Sequence, residues 1–185
     1  MRIVVGQGSC GIAAGAAKVY SALEALKDKT DAELTITGCI GMCFLEPIVD
    51  IYDGKTLLKR LVKVQSGDAQ KIIDFANGDL NAVNDIEITE DDKSFLDKQT
   101  RIALRHCGII NPEKIDEYTS EDGYKALEKV LKTMTPEDVI EEIKSSGLAG
   151  RGGAGFPTWF KWNAARQAQG DYKYLICNAD EDDPG

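Results

Sequence analysis

Arg2-Ile3-Val4-Val5-Gly6-Gln7-Gly8-Ser9-Cys10-Gly11-Ile12 sets the reading of this chain. Ile3-Val4-Val5 reads as a short buried strand. Ile12, Ala16, Val19, Leu23 and Leu26 then fall at helical spacing. Leu34-Thr35-Ile36-Thr37 reads as a second strand and Ile48-Val49-Asp50-Ile51-Tyr52 as a third. Asp53-Gly54 is a hairpin turn signal leading into a fourth, Thr56 to Val64. Ile72, Ile73, Phe75 and Ala76 suggest a closing helix. The predicted order is β-α-β-β-β-α.

That order is the one found in small α/β units of the thioredoxin kind. It makes the cysteines interesting. Cys10 lies between the first strand and the first helix; Cys39 and Cys43 follow the second strand. Strand ends of one sheet lie close together, so three thiolates converge at one edge. Thiolates are the usual ligands of iron–sulfur clusters and of zinc. A [2Fe–2S] cluster wants four ligands and this unit offers three. Three partly buried, inert cysteines acting as small hydrophobes would share the spacing. Cys107 and Cys177 are isolated and read as structural; His106 is the single histidine and has no partner pattern around it.

The 185 residues are 43% hydrophobic and 29% charged, ordinary for a globular protein of one domain or two small ones. A net charge of −9 argues against nucleic acid, which needs a basic face, and against an anionic membrane surface. No apolar run approaches the roughly 18 residues of a membrane span, and the N-terminus lacks the pattern of a signal peptide. The expected location is the cytoplasm, peripheral to a membrane complex at most, with reduced thiols serving metal binding or chemistry. The abrupt end at Asp182-Asp183-Pro184-Gly185 suggests a fragment of a longer protein.

Residues 78–93 are polar and acidic and read as a linker. Helical patterns follow: Phe95 to Arg105, a short helix from Asn111-Pro112, Glu121 to Leu131, and one opened by Thr135-Pro136-Glu137-Asp138 and stopped at Gly147. Trp159 to Ala168 reads as helix and Tyr172 to Cys177 as strand.

Between these lies Ser146-Gly147-Leu148-Ala149-Gly150-Arg151-Gly152-Gly153-Ala154-Gly155-Phe156-Pro157-Thr158. Glycine has no Cβ to block a ligand's approach, and a loop opening onto a helix presents bare N–H groups to a phosphate. A plain glycine-rich turn has the same composition. Asn178-Ala179-Asp180-Glu181 follows the last predicted strand, where open α/β sheets place ligands. Alone it also reads as an acidic turn.

In combination the signals are more specific. Gly150 through Thr158, Lys161-Trp162, Cys177-Asn178-Ala179-Asp180-Glu181 and Pro184-Gly185 resemble the flavoprotein subunit of respiratory complex I. That family includes the F-type, NADH-binding component of NADH-quinone oxidoreductase and NAD-linked subunits of hydrogenases and formate dehydrogenases. Arg105-His106-Cys107-Gly108-Ile109-Ile110-Asn111-Pro112 and Gly123-Tyr124-Lys125-Ala126-Leu127 resemble its opening segment. The first 76 residues are similar to the thioredoxin-like [2Fe–2S] ferredoxin domain that some hydrogenase-type flavoprotein subunits carry.

The resemblance implies an α/β chain in three parts. A thioredoxin-like N-terminal domain covers 1–77 and an acidic linker 78–93. A helical segment and the start of an α/β flavin/NADH-binding domain cover 94–185. It implies FMN and NAD(H) contacts at Gly150, Arg151, Gly152, Gly153, Ala154, Gly155, Phe156, Lys161, Asn178, Asp180 and Glu181. Phe156 would lie against the nicotinamide or adenine, and Lys161 near the flavin. It implies metal ligation by Cys10, Cys39 and Cys43, with a [4Fe–4S] site only beyond residue 185. The implied partners are subunits of a complex I-like or hydrogenase-like electron-transfer complex.

This chain departs from the family at three points. Ala149 replaces a usual arginine and Trp159 a usual glycine. Val5 stands where the ferredoxin domain has its first cysteine. Either another ligand substitutes there, or the domain serves as a docking module without a cluster. The expected function is an oxidoreductase fragment taking a hydride from NADH onto FMN and passing electrons to iron–sulfur clusters, inactive by itself. The alternatives are a non-enzymatic electron carrier or docking module, and a plain nucleotide-binding domain.

Overall fold

A computed structural model of the chain describes residues 1–177. They form two compact units, one of residues 1–118 and one beginning at Thr119. No described helix is long and apolar enough to cross a membrane.

The first unit is built on a four-stranded sheet of β1 (Arg2–Gly6), β2 (Glu33–Thr37), β3 (Val49–Asp53) and β4 (Thr56–Leu61). The order is β2-β1-β3-β4. β1 runs parallel to β2, with Gly6 opposite Thr37, and antiparallel to β3. β3 and β4 form the predicted hairpin, with Gly54 at φ +56°, where glycine avoids a Cβ clash. Helices α1 (Ser9–Ala14) and α2 (Ala16–Glu24) connect β1 to β2, and α3 (Ala69–Ala76) follows β4. This is the thioredoxin-like α/β arrangement that the element order predicts. The single helix expected between β1 and β2 is two, because Gly15 sits at φ +108° and ends the first. Ile12, counted in the predicted apolar stripe, is exposed as a result.

Strand side chains alternate between faces. Ile3, Val5, Val49, Ile51 and Leu61 meet Val19, Leu23, Ile72, Ile73 and Phe75 in one core. Each fully buried aliphatic side chain there contributes roughly 1.5–3 kcal/mol. The other face is polar. Val4 lies opposite Thr35 on one side and Asp50 on the other, and Asp50 lies opposite Arg60. Asp50 accepts two hydrogen bonds from Arg60, at 2.8 Å from Nε and 2.7 Å from Nη2.

This polar face is covered by residues 108–111. The Thr37 hydroxyl donates to the Ile110 carbonyl at 2.8 Å, the Tyr52 hydroxyl to the Gly108 carbonyl at 3.2 Å, and Asn111 Nδ2 to Thr35 Oγ1 at 3.4 Å. Burial pushes the Tyr52 phenol up to about 12, and the neighbouring Asp50 carboxylate adds to it.

The acidic stretch 78–93 also rests on this unit. Val83 is fully buried, Val62 N–H donates to the Ile86 carbonyl, and Ile88 N–H donates to the Arg60 carbonyl. Pairing along β4 satisfies backbone groups that a bare edge strand would expose. Helix α4 (Glu90–Asp97) begins within the stretch. It starts before the predicted Phe95 because the Thr89 hydroxyl accepts the Asp92 N–H, and Glu90, Asp91 and Asp92 complement the helix dipole. The short helix expected from Pro112 starts later, as α5 (Ile115–Ser120). The Asn111 side chain instead accepts the Glu113 N–H and forms a turn.

The second unit contains α6 (Lys125–Thr133), α7 (Pro136–Ser145) and α8 (Thr158–Gln167). Thr135 and Asp138 form a capping box at the head of α7, and Gly147 at φ +68° follows its end, as predicted. Glu137 accepts a hydrogen bond from Arg166 Nε at 2.8 Å, joining α7 to α8. Residues 172–177 form no strand. A strand needs a partner ladder, and no described segment supplies one.

Replacing Arg60 with alanine strands the buried Asp50 carboxylate. Chemical denaturation should show a loss of about 3–5 kcal/mol for Arg60→Ala, with part recovered when Asp50→Asn is added.

Candidate functional site

The described residues expected from the sequence to form sites fall into two groups, one in each unit. The first follows from strand direction. Parallel β1 and β2 end at the same edge, so the segments leaving Gly6 and Thr37 start side by side. The Gln7 N–H donates to the Thr37 carbonyl at 2.8 Å. These segments carry Cys10 on one side and Cys39 and Cys43 on the other.

The three sulfur atoms lie within 4.8 Å of one another. Cys10 Sγ is 3.3 Å from Cys39 Sγ, which is 3.7 Å from Cys43 Sγ. Glycines permit this approach. A Cβ on Gly8 would stand 2.8 Å from the Cys39 Cβ, and one on Gly11 would stand 2.5 Å from the Gly6 carbonyl oxygen. Gly41, at φ +88°, turns its N–H onto Cys39 Sγ at 3.2 Å.

One participant lies outside the sequence-based set. Glu46 is 93% buried and brings its Oε1 to 3.8 Å from Cys10 Sγ, while its Oε2 accepts the Ile48 N–H at 2.8 Å. A carboxylate inside the apolar run Phe44-Leu45-Glu46-Pro47-Ile48-Val49 is the signal that could have found it. Burial pushes the Cys10 thiol up, reinforced by the Cys39 and Cys43 thiols and the charge of Glu46. Burial also pushes up the Cys39 thiol, against the Gly41 N–H and Cys10. It pushes up the Glu46 carboxyl, against the Ile48 N–H and Cys10. Burial and mutual repulsion thus disfavour these anions together, and a bound cation reverses that balance. The soft donor set suits zinc or an iron–sulfur cluster.

Val5, at the position where a fourth cysteine is expected, is fully buried in the core and supplies no donor. Cys107 is half-buried and does not join the three sulfurs at that spacing. His106 meets the Tyr118 ring edge-on at 6.2 Å and accepts from Arg105 Nε.

The second site is the glycine loop. Gly150 N–H donates to the Phe156 carbonyl at 2.8 Å and Thr158 N–H to the Leu148 carbonyl at 3.1 Å. These bonds pinch residues 150–156 into a closed loop at the head of α8. Gly153 and Gly155 have φ of +99° and +59°, and a Cβ on either would meet only open space. Their need is conformational rather than steric.

Gly150, Arg151, Gly152, Gly153, Ala154, Gly155 and Phe156 are all exposed, as is Lys161. Lys161 Nζ stands 5.4 Å from the centre of the Phe156 ring, bringing a cation and an aromatic face together on one side of the loop. Trp159 is half-buried and carries Lys144 Nζ 5.4 Å above its own ring. Helix α8 has no side-chain cap and no acid in its first turn, unlike α4 and α7. Asn178, Asp180 and Glu181 lie outside the described residues. A mainly apolar groove of about 580 Å³ between α6, α7 and α8 is lined by Met134, Ile140 and Trp162, but by no residue of the glycine loop.

The geometry therefore presents a three-thiol centre on a thioredoxin-like unit and an exposed glycine loop opening a helix. Residues 143–185 match the family model of the Nuo51 FMN-binding domain. The chain is 59% identical, over 87 residues, to the NADP-reducing hydrogenase subunit HndC of Solidesulfovibrio fructosivorans, covering 47% of this chain and 18% of that protein. It is 56% identical, over 71 residues, to the F component of NADH-quinone oxidoreductase from Aquifex aeolicus, covering 38% of this chain and 16% of that protein. The chain thus spans under a fifth of the length of these two relatives. A thioredoxin-like [2Fe–2S] ferredoxin from Aquifex aeolicus aligns with 48% of this chain and 89% of its own, at 17% identity and a TM-score of 0.40.

Gly8→Ala should force the Cys10 and Cys39 segments apart. After anaerobic reconstitution with ferrous iron and sulfide and then desalting, it should retain about tenfold less iron than the wild type. Circular dichroism should stay unchanged.

Proposed function

We propose that this chain is part of an NADH-oxidising flavoprotein subunit of a multi-subunit electron-transfer complex. The observation that carries this reading is the pinched loop 150–156 at the uncapped head of α8, inside the segment that matches an FMN-binding domain. The residues fit such a ligand. The loop is exposed and free of bulky side chains from Gly152 to Gly155, and the head of α8, with no capping side chain and no acid in its first turn, favours a phosphate. Arg151 and Lys161 add positive charge beside it.

In this reading Gly150, Arg151, Gly152, Gly153, Ala154 and Gly155 line the flavin and the dinucleotide. Phe156 offers a flat face for stacking a nicotinamide or an adenine. Lys161 places a cation where reduction builds negative charge, and Asn178, Asp180 and Glu181 accept hydrogen bonds from the ligand's hydroxyls and ring edge. FMN, when bound, supplies hydride acceptance and the release of electrons one at a time. The protein's own contribution is orientation, which aligns donor and acceptor without a diffusive search.

Cys10, Cys39 and Cys43 would hold an iron–sulfur centre, which supplies one-electron transfer. This favours an electron-relay role for the thioredoxin-like unit over a docking role without a cluster. The acidic balance and the named relatives support neighbouring protein subunits rather than nucleic acid as partners.

The test is made in the full-length protein. Lys161→Ala combined with Asp180→Ala removes a cation and a hydrogen-bond acceptor. Charge-assisted contacts contribute about 1.5–3 kcal/mol each, so losing two should lower FMN affinity by about a hundredfold or more, with NADH oxidation falling alongside. Full flavin content and unchanged turnover would overturn the assignment.

A further inference from the structure

We propose that Cys10 and Cys39 form a reversible disulfide that closes the three-thiol site to metal. The gate rests on the reading that these thiols hold an iron–sulfur centre; the pairing does not.

All five cysteines are thiols. The Cys10 and Cys39 sulfurs stand 3.3 Å apart, against 3.7 Å for Cys39 and Cys43. Bonded sulfurs lie about 2.05 Å apart, so a closure of about 1.2 Å makes the bond. The Cys10 thiol already donates to Cys39 Sγ, and the Gly41 N–H holds that sulfur in place at 3.2 Å. Gly8 lets the Cys10 segment lie against Cys39, since a Cβ there would stand 2.8 Å from the Cys39 Cβ. The two segments leave neighbouring strands of one sheet, so the sulfurs meet before any bond joins them. Groups held together in this way react as if highly concentrated.

Topology selects the same pair. A Cys10–Cys39 bond joins residues 29 apart and constrains the unfolded chain, whereas a Cys39–Cys43 bond joins residues four apart and constrains little. Charge agrees. Thiolates gathered without a metal would crowd beside the buried Glu46, whose Oε1 is 3.8 Å from Cys10 Sγ, and a disulfide carries no charge.

The oxidant is a small aliphatic disulfide of the glutathione class. The Cys39 thiolate attacks one of its sulfurs, forms a mixed disulfide and expels a small thiolate. The Cys10 thiolate then attacks the Cys39 sulfur and expels the second small thiolate. The two cysteine protons end on the two small thiols. Two cysteines are oxidised and one small disulfide is reduced. The oxidised site keeps one sulfur donor, that of Cys43, in place of three.

The experiment compares wild type, Cys10→Ser and Cys43→Ser as the 185-residue chain, stripped of metal and equilibrated anaerobically in glutathione buffers of increasing disulfide content. Remaining thiols are alkylated and counted by mass, links are mapped in unreduced peptide digests, and circular dichroism checks folding. Reduced and oxidised wild type are then offered ferrous iron and sulfide and desalted.

Wild type should lose two of its five thiols and yield a Cys10–Cys39 link. Cys43→Ser should yield the same link, and Cys10→Ser should need at least about tenfold more disulfide before any intramolecular link forms. Oxidised wild type should retain about tenfold less iron than reduced, and dithiothreitol should restore it. A Cys39–Cys43 link in wild type, a Cys10→Ser variant that oxidises as readily as wild type, or mixed disulfides with glutathione alone would each overturn the pairing. Equal iron in the oxidised and reduced forms overturns the gate. A reduced chain that retains no iron overturns the iron–sulfur reading and the gate with it, while the peptide map still decides the pairing.

Discussion

Parallel pairing of β1 with β2 is the constraint on which the three-thiol site depends. Opposing Gly6 to Thr37 makes both strands stop at one edge of the sheet, and the two segments that leave them share a backbone hydrogen bond at once. An antiparallel arrangement of the same strands would send those segments to opposite edges. The sulfur atoms of Cys10, Cys39 and Cys43 then meet because glycine at positions 8 and 11 removes the Cβ atoms that would hold the loops apart. Cys10 is 29 residues from Cys39 along the chain, and strand polarity is what cancels that separation.

The sheet has two faces with different physics. One is apolar and closed by α2 and α3 through ordinary hydrophobic burial. The other carries Thr35, Thr37, Asp50 and Arg60, and it is closed by residues 108–111 through hydrogen bonds to the Gly108 and Ile110 carbonyls and from the Asn111 side-chain amide. A polar face of this kind demands a partner with matching donors and acceptors, because an unsatisfied buried group costs more than a made hydrogen bond contributes. The same contacts bring Gly108 against Ile40, inside the loop that carries Cys39 and Cys43. The cover of the sheet and the support of the thiol loop are therefore one piece of chain.

The glycine loop has a different logic. It is held by two backbone hydrogen bonds at its neck, while the glycines at its tip meet nothing. Positive φ at Gly153 and Gly155 shapes the loop, and the absence of side chains leaves its backbone open. Lys161 reaches back from the first turn of α8 to the Phe156 ring because residue 161 lies about one helical turn past the loop's end. The spacing of the two residues along the chain is enough to suggest that pairing.

Much of the rest is legible in the same way. Alternating apolar residues, the Asp53-Gly54 turn and the Thr135-Pro136 cap locate the strands, the hairpin and α7, since each depends on neighbours in sequence. The start of α4 is harder to read, because the hydrophobic spacing from Phe95 outweighs the weaker cap at Thr89. The strand expected at 172–177 does not form because a strand exists only through its partner. Residue types alone settle that five thiols and a glycine-rich loop are present, since side-chain chemistry is a local property. The tertiary structure alone decides that Glu46 turns inward beside Cys10 and that residues 108–111 cover the polar face of the sheet. Both depend on contacts between segments distant in the chain, and no local periodicity encodes which distant segment satisfies a buried polar group.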